Sequence, residues 1–215
     1  MITESLLGTD FLIKNAKEIQ VVIDNNAPEI EKLDQEIGDG DHIFNVQRGI
    51  KLVIESEPII KDLSMSKALN HIAMKILSGI GGSSGALFGT LFMTMAKVSN
   101  IDDGIDYKKA INMFVDGVEA VKQRGKADVG EKTMMDVLIP VANCLKEGVE
   151  KDIDLKDLMI KTIETAEKGM LSTKNLLATK GRASFLGERS MGHIDPGARS
   201  SQLMIKTVCM SILNT

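Results

Sequence analysis

The chain has 215 residues, 43% of them apolar and 26% charged, the balance of a single folded domain rather than a disordered, collagenous or low-complexity chain. Its 26 basic and 30 acidic side chains leave a net charge of −4, which argues against a general nucleic-acid binder. No apolar run approaches the ~20 residues needed to cross a bilayer, so neither nucleic acid nor a membrane is expected as a partner.

The predicted elements are helical almost throughout. Leu12, Ala16, Ile19 and Ile23 share one face of a first helix. Asn25 and Asn26 are expected to end it, and Pro28 to open a short second helix that stops at Gly38. A third helix is predicted over 41–54, ending before Pro58, and a fourth over 66–78. A fifth follows the Gly81-Gly82-Ser83-Ser84 run and ends near Asn100. The sixth, over 107–122, buries Ile111, Phe114, Val115, Val118 and Val121. The seventh covers 131–147 with a possible kink at Pro140. The eighth starts at Leu155 and groups Leu158, Met159, Ile163 and Ala166, and the last covers 198–213. No alternating strand pattern of useful length and no internal repeat interrupts this order. Low aromatic content (3%) and 13 methionines fit helices packed on helices, and short connections favour an all-α, up-and-down bundle. The segment 178–197, with four glycines and three basic residues, reads as a long functional loop. Residues 1–15 show no signal-peptide pattern. Cys144 and Cys209, far apart in apolar helical segments, read as buried reduced thiols, and a cytoplasmic location is expected.

Four stretches carry candidate chemistry. Asp34, Asp39 and Asp41 surround a glycine turn at a helix end. Carboxylates so close repel, a cation relieves the repulsion, and an all-oxygen donor set suits Mg²⁺ or Ca²⁺. The spacing is not that of an EF-hand; a solvated acidic loop with Asp41 as a helix cap is the alternative. The run from Ser78 to Gly85 precedes a helix and forms an anion site without the lysine of a Walker loop, or else a flexible turn. In the stretch 125–136, Lys132 and Asp136 are spaced to pair on a helix surface. In the long loop, Arg182 and Arg189 have the chemistry to clamp phosphate, or to form surface ion pairs. His71 reads as a packed, hydrogen-bonded core residue, while His42 and His193 lie in the candidate loops. No serine–histidine–aspartate order or activated cysteine is visible. From the residues alone, the chain reads as a Mg²⁺–nucleotide site on an all-α scaffold.

The motifs Leu-Asp-x3-Gly-Asp-Gly-Asp-His at 33–42, Gly-Gly-Ser-Ser-Gly at 81–85, Arg-Gly-Lys-Ala at 124–127, Gly-Glu-Lys-Thr-Met at 130–134, Gly-Arg-Ala-Ser-Phe-Leu-Gly-Glu-Arg-Ser at 181–190 and Gly-His-x-Asp-Pro-Gly-Ala at 192–198 occur in one order along nearly the whole chain. In this the sequence closely resembles the ADP-binding (DhaL-type) subunits of phosphotransferase-system-dependent, that is phosphoenolpyruvate-dependent, dihydroxyacetone kinases. The resemblance implies a single nucleotide-binding domain over 1–215, folded as an antiparallel eight-helix barrel with the nucleotide held by loops at one end. It implies ADP retained as a cofactor, rephosphorylated to ATP by a phosphohistidine donor subunit (DhaM type). The phosphoryl group then passes to dihydroxyacetone on a substrate-binding subunit (DhaK type). By the same resemblance, Asp34, Asp39 and Asp41 bind two Mg²⁺ ions. His42, Ile43, Phe44 and Asn45, with Ser83 and Ser84, make the first nucleotide contacts. Gly125 and Met134 line the adenine and ribose side, and Arg182 with Asp195, Pro196 and Gly197 closes over the nucleotide. Two positions depart from the family pattern: Ile43 stands where Gly is usual after Asp-His, and Ser83 replaces a usual Ala. The alternatives are the nucleotide module of an ATP-dependent dihydroxyacetone or fatty-acid kinase, whose second large domain has no room in 215 residues, and a nucleotide-loaded regulator, since some subunits of this type also bind a transcription factor.

Overall fold

In a computed structural model of the chain, residues 8–99 and 106–215 are described. The long helices among them are α1 (Thr9–Ile37), α2 (His42–Glu55), α4 (Met65–Gly79), α5 (Gly82–Ser99), α6 (Tyr107–Gly125), α7 (Met135–Glu150), α8 (Leu155–Ser172) and α9 (Pro196–Leu213); one short turn of helix, α3 (Glu57–Ile60), follows α2. Helical turns of 3-10 type cover Thr173–Asn175 and Arg182–Ser190, the second broken at Gly187. No strand occurs among the described residues. The end of the fifth predicted helix near Asn100 lies outside the described residues, as do residues 1–7.

The main departure from expectation is in α1. Asn25 and Asn26 do not end it, and Pro28 lies inside a continuous 29-residue helix. Ile23, Ile30 and Ile37, seven residues apart, are all buried, so the interior face runs unbroken past the proline. Burial of that face outweighs the one backbone hydrogen bond that proline removes. Asn26 instead donates its side-chain amide to Val22 O at 2.8 Å. With the first two predicted helices merged, the described residues hold the eight long helices of the expected barrel.

Each long helix packs against its predecessor in the chain, with α2 meeting α4 past the short α3, and α9 returns to pack on α1, so the ring closes. Its helices line an apolar cavity of about 450 Å³, bordered among others by Phe11, Ile50, Phe92, Phe114, Leu138 and Met204. Cys144 and Cys209 are both buried and free in one apolar cluster with Leu158 and Ala198, as expected. Burial pushes the Cys209 thiol up to about 12. His71 is half-buried, and its Nε2 has no hydrogen-bond partner among the described residues, in contrast to the hydrogen-bonded core residue expected.

In an up-and-down ring, alternate connections fall at the same end. The links α1–α2, α4–α5, α6–α7 and α8–α9 therefore share one end, and these are the links that carry the motifs. Helices α2, α5, α7 and α9 all begin there, so four positive helix-dipole ends face that end.

Candidate functional site

The carboxylates of Asp34, Asp39 and Asp41 come together, each offering an oxygen within 4.8 Å of the others. Asp34 lies on the buried face of α1, one turn past Ile30, and is only 4% exposed. Its Oδ2 accepts the His42 backbone N–H at 2.9 Å. The chain turns back over it at Gly38, where a Cβ would overlap Asp34 Oδ1. Gly40 takes φ 79°, a left-handed conformation open to glycine, and sets Asp39 and Asp41 on either side of the turn. This donor set, hard oxygens only and one carboxylate withdrawn from water, fits Mg²⁺.

Asp39 Oδ2 also accepts from Arg182 Nε at 2.9 Å. Arg182 is well exposed, so this ion pair is weakly held. His42 places Nε2 2.9 Å from Ser200 Oγ, linking the start of α2 to α9. Burial lowers the His42 pKa against the opposing pull of Asp34 and Asp41. The side chain of Ile43 packs into the core with Ile23, Ile30 and Leu203, leaving its backbone toward the turn, whereas Phe44 is exposed and Asn45 borders the central cavity.

Helix α5 begins at Gly82, three residues earlier than expected, and Gly85 and Gly89 let it lie close against Ile80 and Leu77. Ser83 is exposed and Ser84 half-buried in its first turn, and among the described residues neither is hydrogen-bonded to the three aspartates. Gly125 ends α6 beside Leu87.

The α6–α7 and α8–α9 links meet directly. A methyl group at Gly197 would lie 3.5 Å from Met134 Cβ and 3.0 Å from Asp195 Oδ2. Asp195 caps α9 through Ala198 N at 2.7 Å, Pro196 is buried in its first turn, and burial pushes the Asp195 carboxyl up to about 7. His193 Nδ1 reaches Glu36 Oε2 at 2.5 Å, tying this link back to α1. Helix α7 starts at Met135, four residues after its expected start. The Asp136 carboxylate accepts from Gly130 N at 2.5 Å and Thr133 N at 2.8 Å and folds the segment into a turn instead. Lys132 and Asp136 are therefore not a surface helix pair. Both are buried, and Lys132 lies before the helix with φ 61°. Ser200, Glu36 and Thr173 also hold the site together, and no sequence motif singled them out, because their partners lie 158, 157 and 22 residues away in the chain.

Fold and geometry thus define an all-α barrel that gathers a carboxylate cluster, an exposed arginine paired with it and several helix N-termini at one end. The chain matches the family model described as DAK2 domain over residues 36–210 and belongs to that family. The ADP-binding subunit DhaL of the PEP-dependent dihydroxyacetone kinase of Escherichia coli (strain K12) is 40% identical over 179 residues, covering 83% of this chain and 85% of that relative. The ADP-binding subunit DhaL of the PTS-dependent dihydroxyacetone kinase of Lactococcus lactis is 36% identical over 204 residues, covering 94% of this chain and 97% of the relative. The crystal structure of the dihydroxyacetone kinase from C. freundii in complex with AMP-PNP and Mg²⁺ superposes with a TM-score of 0.71 at 19% identity. That likeness covers 94% of this chain but 34% of the other, and it establishes the barrel fold. No described helix is long and apolar enough to cross a membrane.

Proposed function

We propose that the chain, as a single nucleotide-binding domain, is the ADP-binding subunit of a phosphoenolpyruvate-dependent dihydroxyacetone kinase. In this reading it carries a phosphoryl group from a phosphohistidine donor subunit (DhaM type) to dihydroxyacetone held on a substrate-binding subunit (DhaK type). The convergence of Asp34, Asp39 and Asp41 within 4.8 Å, at the end where the motif-bearing links gather, carries the reading. The three carboxylates would hold two Mg²⁺ ions, whose chemistry is to neutralise phosphate charge and orient the phosphates for in-line transfer.

Around them the chain's own groups bind and orient. Backbone N–H groups from His42 to Asn45, and those of Ser83 and Ser84 with their hydroxyls, would receive the phosphates at two helix starts. Arg182 would exchange Asp39 for a phosphate oxygen. Gly125 and Met134 would border the base and ribose, and Asp195, Pro196 and Gly197 would close the site from the α9 side. Phosphoryl transfer needs positioning and charge neutralisation more than a covalent group, which accounts for a site without a nucleophile. Phe44 and Phe185 stand exposed on segments of this same end, apolar surface suited to partner subunits. Two buried, unpaired thiols suit the reducing cytoplasm.

The test is to denature the extensively washed protein and identify released nucleotide by chromatography. Near-stoichiometric ADP is expected from the wild type and none from Asp39→Ala, which should stay folded because a loop carboxylate is lost and the core is not. A protein that binds ATP only in passing would indicate an ATP-dependent kinase module, and one that never holds nucleotide would sink the reading.

A further inference from the structure

Lys132 has no part in the reading above, yet the fold pays heavily to place it. It is 1% exposed, it adopts a left-handed backbone conformation unusual for a residue with a side chain, and no carboxylate within ion-pair distance is recorded for it among the described residues. Burying an ammonium is costly unless its donors are satisfied. Lys132 Nζ gives two of its three N–H groups to backbone carbonyls, Thr173 O at the end of α8 and His193 O in the α8–α9 link. Asp195 and Asp136 lie near enough to favour its charged form against burial, which lowers its pKa.

The three segments joined at this ammonium are cross-tied by further bonds. Asp195 N donates to Thr173 Oγ1 at 3.0 Å, and Gly192 N to Lys174 O at 2.7 Å. Asp136 folds residues 130–133 around the lysine through Gly130 N and Thr133 N. One of these segments ends in Met134 and another continues into Asp195, Pro196 and Gly197, and the two meet at Gly197. A lysine serving only to stabilise the barrel would tie helices to each other. This one ties the end of one helix to two links that border the same space.

We propose that Lys132 is a positioning residue that latches the strap 192–197 against the end of α8, and thereby sets how slowly nucleotide leaves the site. The proposal rests on the nucleotide reading above. Its action is indirect: the ammonium fixes the His193 carbonyl, this fixes the path of the chain into Asp195, and the turn at 195–197 then stands at a set distance from Met134.

The test uses the full chain with Mg²⁺ and a fluorescent ADP analogue. It measures the analogue's dissociation rate, the Mg²⁺ affinity without nucleotide, and amide hydrogen exchange without nucleotide, for the wild type and Lys132→Met. The variant keeps the length and loses the charge and donors. Expected are at least tenfold faster nucleotide loss and at least tenfold faster exchange at Gly192 and Asp195, with Mg²⁺ affinity within twofold and exchange in α4 unchanged. A variant that releases the analogue at the wild-type rate overturns the proposal. So does one whose Mg²⁺ affinity and α4 protection fall in step with nucleotide retention, because that marks general loosening. A wild-type chain that holds no nucleotide overturns the underlying reading, and this proposal with it. If Lys132→Met does not fold, Thr173→Val carries the test. It keeps the side-chain volume and removes the acceptor for Asp195 N–H together with the local bond from Thr173 Oγ1 to Met170 O within the end of α8, and several-fold faster nucleotide loss is expected; an unchanged rate overturns the latch.

Discussion

At the residue scale, the aspartate cluster depends on a missing side chain as much as on its carboxylates. Asp34 is held under the turn by the His42 N–H, and the space for its other oxygen exists because Gly38 has no Cβ. Gly38→Ala is therefore expected to push Asp34 out of the cluster and weaken Mg²⁺ binding at least tenfold, measured by calorimetry. The added Cβ would also stand 2.9 Å from Asp34 O, so the last turn of α1 shifts locally as well, while the buried face from Ile23 to Ile30 stays in place. An alanine variant with wild-type Mg²⁺ affinity would show that Asp34 is no ligand. The glycine-flanked aspartates were legible in the sequence because hard-cation chemistry leaves few alternatives to clustered carboxylates. The burial of Asp34 and the overlap at Gly38 were not, because both depend on where α1 ends relative to the interior. Lys132 shows the same limit more sharply. Spacing suggested an exposed i, i+4 pair with Asp136, but the carboxylate bonds Gly130 N and Thr133 N and delays the helix, so the periodicity on which the pairing relied does not start until Met135.

At the scale of elements, helix existence and order follow from apolar periodicity, and most boundaries agree within a few residues. The exception is α1. Asn25, Asn26 and Pro28 are poor interior residues by local propensity, but propensity is small beside the burial of Ile23, Ile30 and Ile37 along one face. Since Pro28 is exposed and lies inside the helix, Pro28→Ala restores a backbone donor without disturbing the core. It is expected to stabilise the protein by about 1–3 kcal/mol, seen as a rise of several degrees in Tm. A neutral or lower Tm would fit two helices meeting at Pro28 and would count against the continuous one.

At the scale of the whole molecule, ring closure by α9 against α1 brings the two ends of the sequence into one site. Glu36 meets His193, and His42 meets Ser200. Closure also buries the Asp195 carboxyl and raises its pKa to about 7, against about 4 in an unfolded chain. Between these values the folded state holds the proton more tightly than the unfolded state, so this group's contribution is fully favourable below about pH 4, declines as pH rises toward 7, and is constant above. Asp195→Asn, which keeps an oxygen to cap Ala198, is expected to remove that decline. Melting curves from pH 4 to 8 without nucleotide should show the variant gaining on the wild type as pH rises, and parallel curves would exclude a perturbed Asp195.

The sequence by itself determined the helical class, the order of elements and the chemical character of the motif-bearing links. These depend on residue type, periodicity and short spacing, which act within a few turns of chain. Only the tertiary structure decided that α1 runs through Pro28, that the links alternate so that one end collects the motifs, and that Lys132 turns inward to join three of the gathered segments. Each of these is settled by which surfaces leave water when the ring closes, and that free energy belongs to contacts between residues far apart in the chain.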